Sequence, residues 1–140
     1  MMETITGTDD QPRVGSLMSA GPVVVDADAP AGEAERLIKT FRVSGLPVIS
    51  GGEVVGVLSQ TDLVVARSGP MISANWDRVR VRHLMSKPPI TVHLGTSVQR
   101  AAELMVKRHI HRLVVVDDEC APLGVLSSLD LLKLLVSDDS

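Results

Sequence analysis

Val55-Gly56-Val57-Leu58-Ser59-Gln60-Thr61-Asp62-Leu63 returns almost letter for letter as Leu123-Gly124-Val125-Leu126-Ser127-Ser128-Leu129-Asp130-Leu131. In each copy a glycine introduces branched apolar residues and then a serine, the pattern of a short buried strand that turns into a helix carrying an aspartate. The first N–H groups of such a helix have no partner within it, so this corner is a natural seat for an anion. Ser59-x-x-Asp62 and Ser127-x-x-Asp130 are also capping boxes, in which the serine accepts from a helix N–H and the aspartate reaches back to the cap. That second account needs no ligand, and the motif alone leaves both open.

Outward from this stretch the whole chain duplicates. A shift of 67 positions lays Val14 on Val81, Leu17 on Leu84, Met18 on Met85, Ser19 on Ser86, Pro22 on Pro89 and Val25 on Val92, and one extra residue near Cys120 raises the shift to 68. Such regularity means two copies of one unit of roughly fifty residues rather than two unrelated halves.

Within the first copy, Leu17-Met18-Ser19 is a short lead-in and Val23-Val24-Val25 a brief strand. Ala31, Ala34, Leu37, Ile38 and Phe41 recur at helical spacing after Pro30, which suits a first turn. Leu46 to Ile49 reads as a strand, Ser50-Gly51-Gly52-Glu53 as a hairpin turn, Val54 to Leu58 as the antiparallel partner, and Thr61 to Ala66 as the opening of a closing helix. The order is β-α-β-β-α. The second copy repeats it with Ile90 to Val92, then Val98, Ala101, Ala102 and Met105 on one helix face, Leu113 to Val116, a turn over Asp117 to Pro122, Gly124 to Leu126, and a helix over Leu129 to Val136.

These patterns divide the chain into an N-terminal arm (1–13) without periodicity, a first repeat (14–66), a linker (67–80) with a small helix around Trp76, a second repeat (81–136) and a C-terminal tail (137–140). One copy alone leaves the apolar face of a three-stranded sheet exposed, which so small a domain can scarcely leave wet. The expected fold is therefore α/β, of the α+β type, with the two repeats packed sheet to sheet as a pseudo-twofold pair.

Of the 140 residues, 44% are apolar, enough for a core without staples, and the formal net charge is −3. That balance argues against a nucleic-acid protein, whose binding face is usually basic and interleaved with aromatics. Phe41 and Trp76 are the only aromatics. Cys120 is the single cysteine and follows the acidic run Asp117-Asp118-Glu119, so neither a disulfide framework nor an activated thiol is expected. Apolar runs fall short of the roughly 18 residues of a membrane span, and the acidic, polar start is unlike a secretory signal, which predicts a soluble cytoplasmic protein.

The doubled motifs identify a family. The Leu-Met-Ser lead-in (twice), Ser44-Gly45-Leu46-Pro47-Val48, and Gly-x-Leu-Ser-x-x-Asp (twice) together resemble the cystathionine β-synthase (CBS) domain, and two in tandem resemble a Bateman module, over roughly Val14 to Val136. Ile110-His111-Arg112-Leu113-Val114-Val115-Val116-Asp117, followed by Leu123 to Ser127, is similar to the gamma subunit of the AMP-activated protein kinase. The resemblance implies a regulatory, energy-sensing module for AMP, ADP, ATP or S-adenosylmethionine, with no obligatory cofactor and a cleft of two pseudo-symmetric sites composed from both repeats. An aspartate would hold the ribose hydroxyls, hydroxyl side chains at the helix start would approach phosphate, and strand residues would sandwich the base.

Carried over residue by residue, the first site takes Val57, Ser59, Thr61 and Asp62 with Ile90, Ile110 and His111. The second takes Val125, Ser127 and Asp130 with Val23, Val43 and Ser44. Arg112, with Lys107 and Arg108 nearby, adds cationic charge for an anionic tail. An ionised carboxylate accepts two hydrogen bonds at once, which suits a vicinal diol, and hydroxyls with helix N–H groups suit phosphate oxygens. The sites are unequal. Thr61 supplies a hydroxyl before the first aspartate where Leu129 stands before the second, and the first site has His111 where the second has only Ser44, so the Asp62 site is expected to be the better binder.

His109 and His111, two apart on an expected strand, would share a face, yet no third metal ligand is evident and no metal site is expected. Met18, Met85 and Met105 read as core filler. Arg78, Arg80 and Arg82 would share one side if extended and read as a solvated face. Nothing supplies a nucleophile with a base and an orienting partner, so no enzyme activity is expected. The apolar closing helices exceed what a monomer needs to cover its own core, and the resemblance implies a homodimeric disc of four repeats that signals occupancy to a partner protein. The alternative is a ligand-free dimerisation or interaction module.

Overall fold

A computed structural model describes residues 12–137. In chain order the elements are α1 (Val14–Leu17), β1 (Ser19–Ala20), β2 (Val25–Asp26), α2 (Ala31–Phe41), β3 (Gly45–Ser50), β4 (Glu53–Ser59), α3 (Gln60–Ser68), α4 (Pro70–Ala74), a 3-10 turn (Trp76–Arg78), α5 (Val81–Leu84), β5 (Thr91–His93), α6 (Val98–Arg108), β6 (Arg112–Val116), β7 (Pro122–Ser127) and α7 (Ser128–Ser137). Each repeat thus has the expected β-α-β-β-α order, behind a one-turn helix at its lead-in.

The chain forms two compact units whose bounds are not those of the repeats. One holds the described residues through Ala20 with Ile90–Asp118 and the chain from Leu123 onward; the other holds Gly21–Pro89 with Glu119–Pro122. Each unit therefore joins one repeat's sheet to the lead-in of the other repeat.

In the unit of the second repeat the strand order is β1-β7-β6-β5. Strand β5 runs parallel to β6, Thr91 opposite Val114, as a helical crossover through α6 requires. The borrowed lead-in completes the sheet: β1 lies antiparallel to β7, with Ser19 opposite Val125 and Ala20 opposite Gly124. The first N–H groups of α1 donate to the loop after β5, Val14 to Thr96 at 2.8 Å and Gly15 to Leu94 at 3.1 Å. Val14 then sits in a core with Val92, Ala101, Met105, Leu113, Val115 and Leu126.

The unit of the first repeat repeats this arrangement. Strands β2-β3-β4 form its sheet, β2 parallel to β3 and β3 antiparallel to β4. Helix α5 donates from Val81 to Ala29 and from Arg82 to Ala27, both at 2.9 Å, the loop carbonyls equivalent to Thr96 and Leu94. Beyond it, Val57 and Ser86 exchange backbone hydrogen bonds of 3.0 and 2.9 Å. The core gathers Val25, Ala31, Ala34, Ile38, Leu46, Val48, Leu58, Leu63 and Val81.

Both recurring glycines follow from this exchange. A Cβ on Gly56 would meet the Met85 sulfur at 2.7 Å and the Ser86 carbonyl oxygen at 2.9 Å; on Gly124 it would meet the Ser19 carbonyl oxygen at 2.6 Å and the Met18 sulfur at 2.7 Å. The glycine of one motif and the methionine of the other are two sides of one contact.

Several expectations are corrected in detail. The strand expected at Val23 to Val25 forms at Val25–Asp26, because pairing with β3 begins only opposite Val48. Phe41, on the expected apolar face of α2, is 54% exposed, as the helix outruns a buried face that ends at Ile38. His109 is not on a strand: it ends α6 with φ 56°, as Arg42 ends α2 with φ 55°, and His111 lies before β6 begins. Helix α3 runs on through Ser68, and the segment after it carries α4, with Pro70 in its first turn, as well as the expected small helix around Trp76. Arg78, Arg80 and Arg82 do not share one extended segment: Arg78 ends the 3-10 turn, Arg80 is extended before α5, and Arg82 sits in α5 and pairs with Asp28. Of the expected arm, residues 1–11 lie outside the described residues, while the Pro12 carbonyl accepts from Val98 N–H at 3.0 Å and Arg13 bridges to Ser97. Of the expected tail, Ser137 belongs to α7 and residues 138–140 lie outside the described residues.

Candidate functional site

The turn from β4 into α3 builds the first corner. Ser59 Oγ accepts from Asp62 N–H at 3.0 Å, and Ser59 N–H donates to Asp62 Oδ2 at 2.9 Å, so the capping box is closed. The next helix donor, Gln60 N–H, reaches the Ser44 carbonyl at 2.7 Å, which seats the Ser44-Gly45 start of β3 against the corner. Thr61 is exposed and Asp62 half-buried. Oδ2 of Asp62 serves the cap; Oδ1 has no hydrogen-bond or ion-pair partner among the described residues. The cation of this helix, Arg67, is drawn elsewhere: it lies 2.6 Å from Glu35 Oε1 and stacks 4.9 Å above the Trp76 ring.

At the turn from β7 into α7 the second corner repeats the cap. Ser127 N–H donates to Asp130 Oδ2 at 2.8 Å and Ser127 Oγ accepts from Asp130 N–H at 3.2 Å. Ser128 N–H reaches the His111 carbonyl at 2.9 Å, the counterpart of the Gln60 to Ser44 bond. Here the likeness ends, because Lys133 Nζ lies 3.1 Å from Asp130 Oδ1 and Asp130 is only 7% exposed. Burial alone would push this carboxyl up; the Ser127 N–H, the Lys133 ammonium and the Ser127 hydroxyl outweigh it and hold the pKa below its ordinary 3.8.

Among the sequence-predicted residues, Val57, Ser59, Thr61, Asp62, Val23, Val43 and Ser44 fall in one unit, and Ile90, Ile110, His111, Arg112, Val125, Ser127 and Asp130 in the other. The residues expected for each site are thus divided between the two units. Val23 and Val43 pack partly buried against the first core, Ile90 and Ile110 against the second. His111 and Arg112 are exposed. Val57 and Val125 are half-buried, their backbones paired with Ser86 and Ser19. Two features escaped sequence reasoning. The exchange of lead-ins leaves no local signal, and Lys133 stands three residues after Asp130, a spacing that places both on one helix face. No group of three or more His, Cys, Asp or Glu that could hold a metal ion occurs among the described residues.

Chemically, the first corner leaves one oxygen of a fixed carboxylate to hydroxyl donors beside the Thr61 hydroxyl, while the second has both carboxylate oxygens engaged. The class so defined is a tandem α/β module of two strand-to-helix corners on duplicated repeats. The family model for the CBS domain matches residues 14–69 and 81–137, and the chain belongs to that family. It is 29% identical over 119 residues to inosine-5'-monophosphate dehydrogenase of Korarchaeum cryptofilum, a match that covers 85% of this chain and 23% of that enzyme. The chain thus spans about a quarter of the length of that relative. Among solved structures, CBSX2 in complex with AMP has a TM-score of 0.79 at 28% identity, covering 91% of this chain and 98% of that one. The cytosolic domain of the Mg2+ channel MgtE in complex with ATP has a TM-score of 0.75 at 26% identity, covering 87% of this chain and 48% of that one. No helix among the described residues is long and apolar enough to cross a membrane.

Proposed function

We propose that this chain is a regulatory CBS pair that binds an adenosine nucleotide or a related adenosyl compound, chiefly at the Asp62 corner. The observation that carries the reading is the state of Asp62: its carboxylate is fixed by the Ser59 N–H through Oδ2, while Oδ1 remains without a partner among the described residues. A carboxylate so held offers its open lone pairs to a vicinal diol without first being ordered. The exposed Thr61 beside it adds a hydroxyl for phosphate, and the half-buried Val57 on the strand before it adds an apolar side chain for the base. Support comes from the AMP and ATP complexes of the two similar structures.

Occupancy would be passed on by whichever arrangement of the repeats the ligand prefers. Self-association is part of the proposal: Val64 and Val65 on α3, and Leu129, Leu132, Leu135 and Val136 on α7, are exposed apolar side chains that a second copy would cover. Sedimentation at micromolar concentration should give the mass of a dimer, and a monomer would remove that part.

Calorimetric titration with AMP, ADP, ATP and S-adenosylmethionine tests the reading. Asp62→Asn, which preserves a capping side chain but removes the charge, should weaken binding about tenfold or more, the cost of losing a charge-assisted hydrogen bond. Asp130→Asn should leave the main binding event in place. No heat with any of the four at millimolar concentration would sink the proposal and leave the closed boxes as helix caps in an interaction module.

A further inference from the structure

We propose that Lys133 sets the order in which the two corners accept a ligand, by holding Asp130 Oδ1 where no cation among the described residues pairs with Asp62. The inference rests on the adenosyl-binding reading above and concerns which corner fills first. The 68-residue shift that lays Asp62 on Asp130 lays Val65 on Lys133. Val65 is exposed and apolar, so nothing at that position competes for Asp62. Arg67, the remaining cation of α3, is engaged by Glu35 and Trp76. At the second corner the ammonium sits 3.1 Å from the one carboxylate oxygen that the cap does not use.

A neutral ribose hydroxyl arriving at Asp130 must displace a charged donor, and must do so where the carboxylate is almost wholly buried and its other oxygen is held by the cap. Displacement is still feasible, because the Lys133 side chain is 64% exposed and an exposed ion pair contributes little. The lysine therefore sets a graded handicap rather than a block. Leu129, which replaces the Thr61 hydroxyl, adds to it.

The test uses AMP as the probe and isolates each corner by disabling the other. In an Asp62→Asn background, which leaves the second corner alone, Lys133→Val should strengthen AMP binding by about three- to tenfold. In an Asp130→Asn background, Val65→Lys should weaken binding at the first corner by a similar factor. Both effects should shrink as salt is raised, which a purely structural role would not produce. Val65→Lys changes a position exposed within one copy, so it keeps the test usable if Lys133→Val fails to fold, and its sedimentation mass, compared with that of its Asp130→Asn parent, separates a lost self-association from a weakened corner. Either variant that folds and leaves its corner within about twofold of its parent overturns the inference while the nucleotide reading stands. If the unmodified chain binds none of AMP, ADP, ATP and S-adenosylmethionine, the nucleotide reading fails first and this inference falls with it; if it binds one of the other three but not AMP, that ligand replaces AMP in the same test.

Discussion

The corners at Asp62 and Asp130 share a backbone, a capping box and a neighbouring strand start, yet they differ in what the aspartate has left to offer. Asp62 keeps one oxygen without a partner among the described residues; Asp130 has both engaged, one by the cap and one by Lys133. One is an open acceptor on a fixed frame, the other a buried carboxylate closed by an exposed lysine. Duplication preserved the scaffold that holds the carboxylate and let its chemistry diverge through side chains one residue before it and three after.

The scaffold itself gives the largest expected effect. Gly124→Ala should cost about 3 kcal/mol and Gly56→Ala about 2 kcal/mol in denaturant unfolding, because overpacking at Gly124 meets first a backbone oxygen and at Gly56 first a flexible methionine sulfur. Equal losses would mean that the borrowed lead-ins yield alike in both units. Next come the carboxylates: Asp130→Ala should cost about 2 kcal/mol against about 1 kcal/mol for Asp62→Ala, since only the former loses a buried, paired charge as well as a cap. A larger loss at Asp62 would reverse the contrast between closed and open corners.

Acid should report on Asp130 in particular. Its folded pKa lies below the ordinary 3.8, so the stability it contributes is present above that value and is lost as pH falls through the depressed folded pKa. The urea midpoint of the unmodified chain should drop over that interval more steeply than that of Asp130→Ala; parallel curves would show that the ion pair contributes no acid sensitivity. Smallest of all, Lys133→Val without ligand should cost about 0.5 kcal/mol, as expected for a largely exposed i,i+3 pair. Its consequence should appear in binding rather than in folding.

Much of this was written plainly in the residues. The doubled letters established two repeats of β-α-β-β-α, Ser-x-x-Asp established both caps, and the spacing of Val98, Ala101 and Met105 named a face that is buried. Periodicity reports which face is apolar but not where the core stops, which is why Phe41 was expected inside and lies outside. Nor does alternation reveal a left-handed helix end, so spacing alone puts His109 on a strand where the chain ends a helix. The lead-in exchange was hidden for a different reason: it is a pairing between distant segments, and its only trace is a glycine in one motif with a methionine in another. At the candidate site the residue types were legible, while the occupant of Asp130 Oδ1 required coordinates.

The exchange also bears on inheritance. A break anywhere between the repeats separates Met85 from Gly56 and Met18 from Gly124, although each repeat looks complete when read along the chain. Recombining the first half of one such gene with the second half of another would set both methionines against glycine pockets shaped by a different ancestor. Such tandem genes should therefore travel and be replaced as whole pairs, with the two halves of each contact diverging together across the midpoint of the sequence.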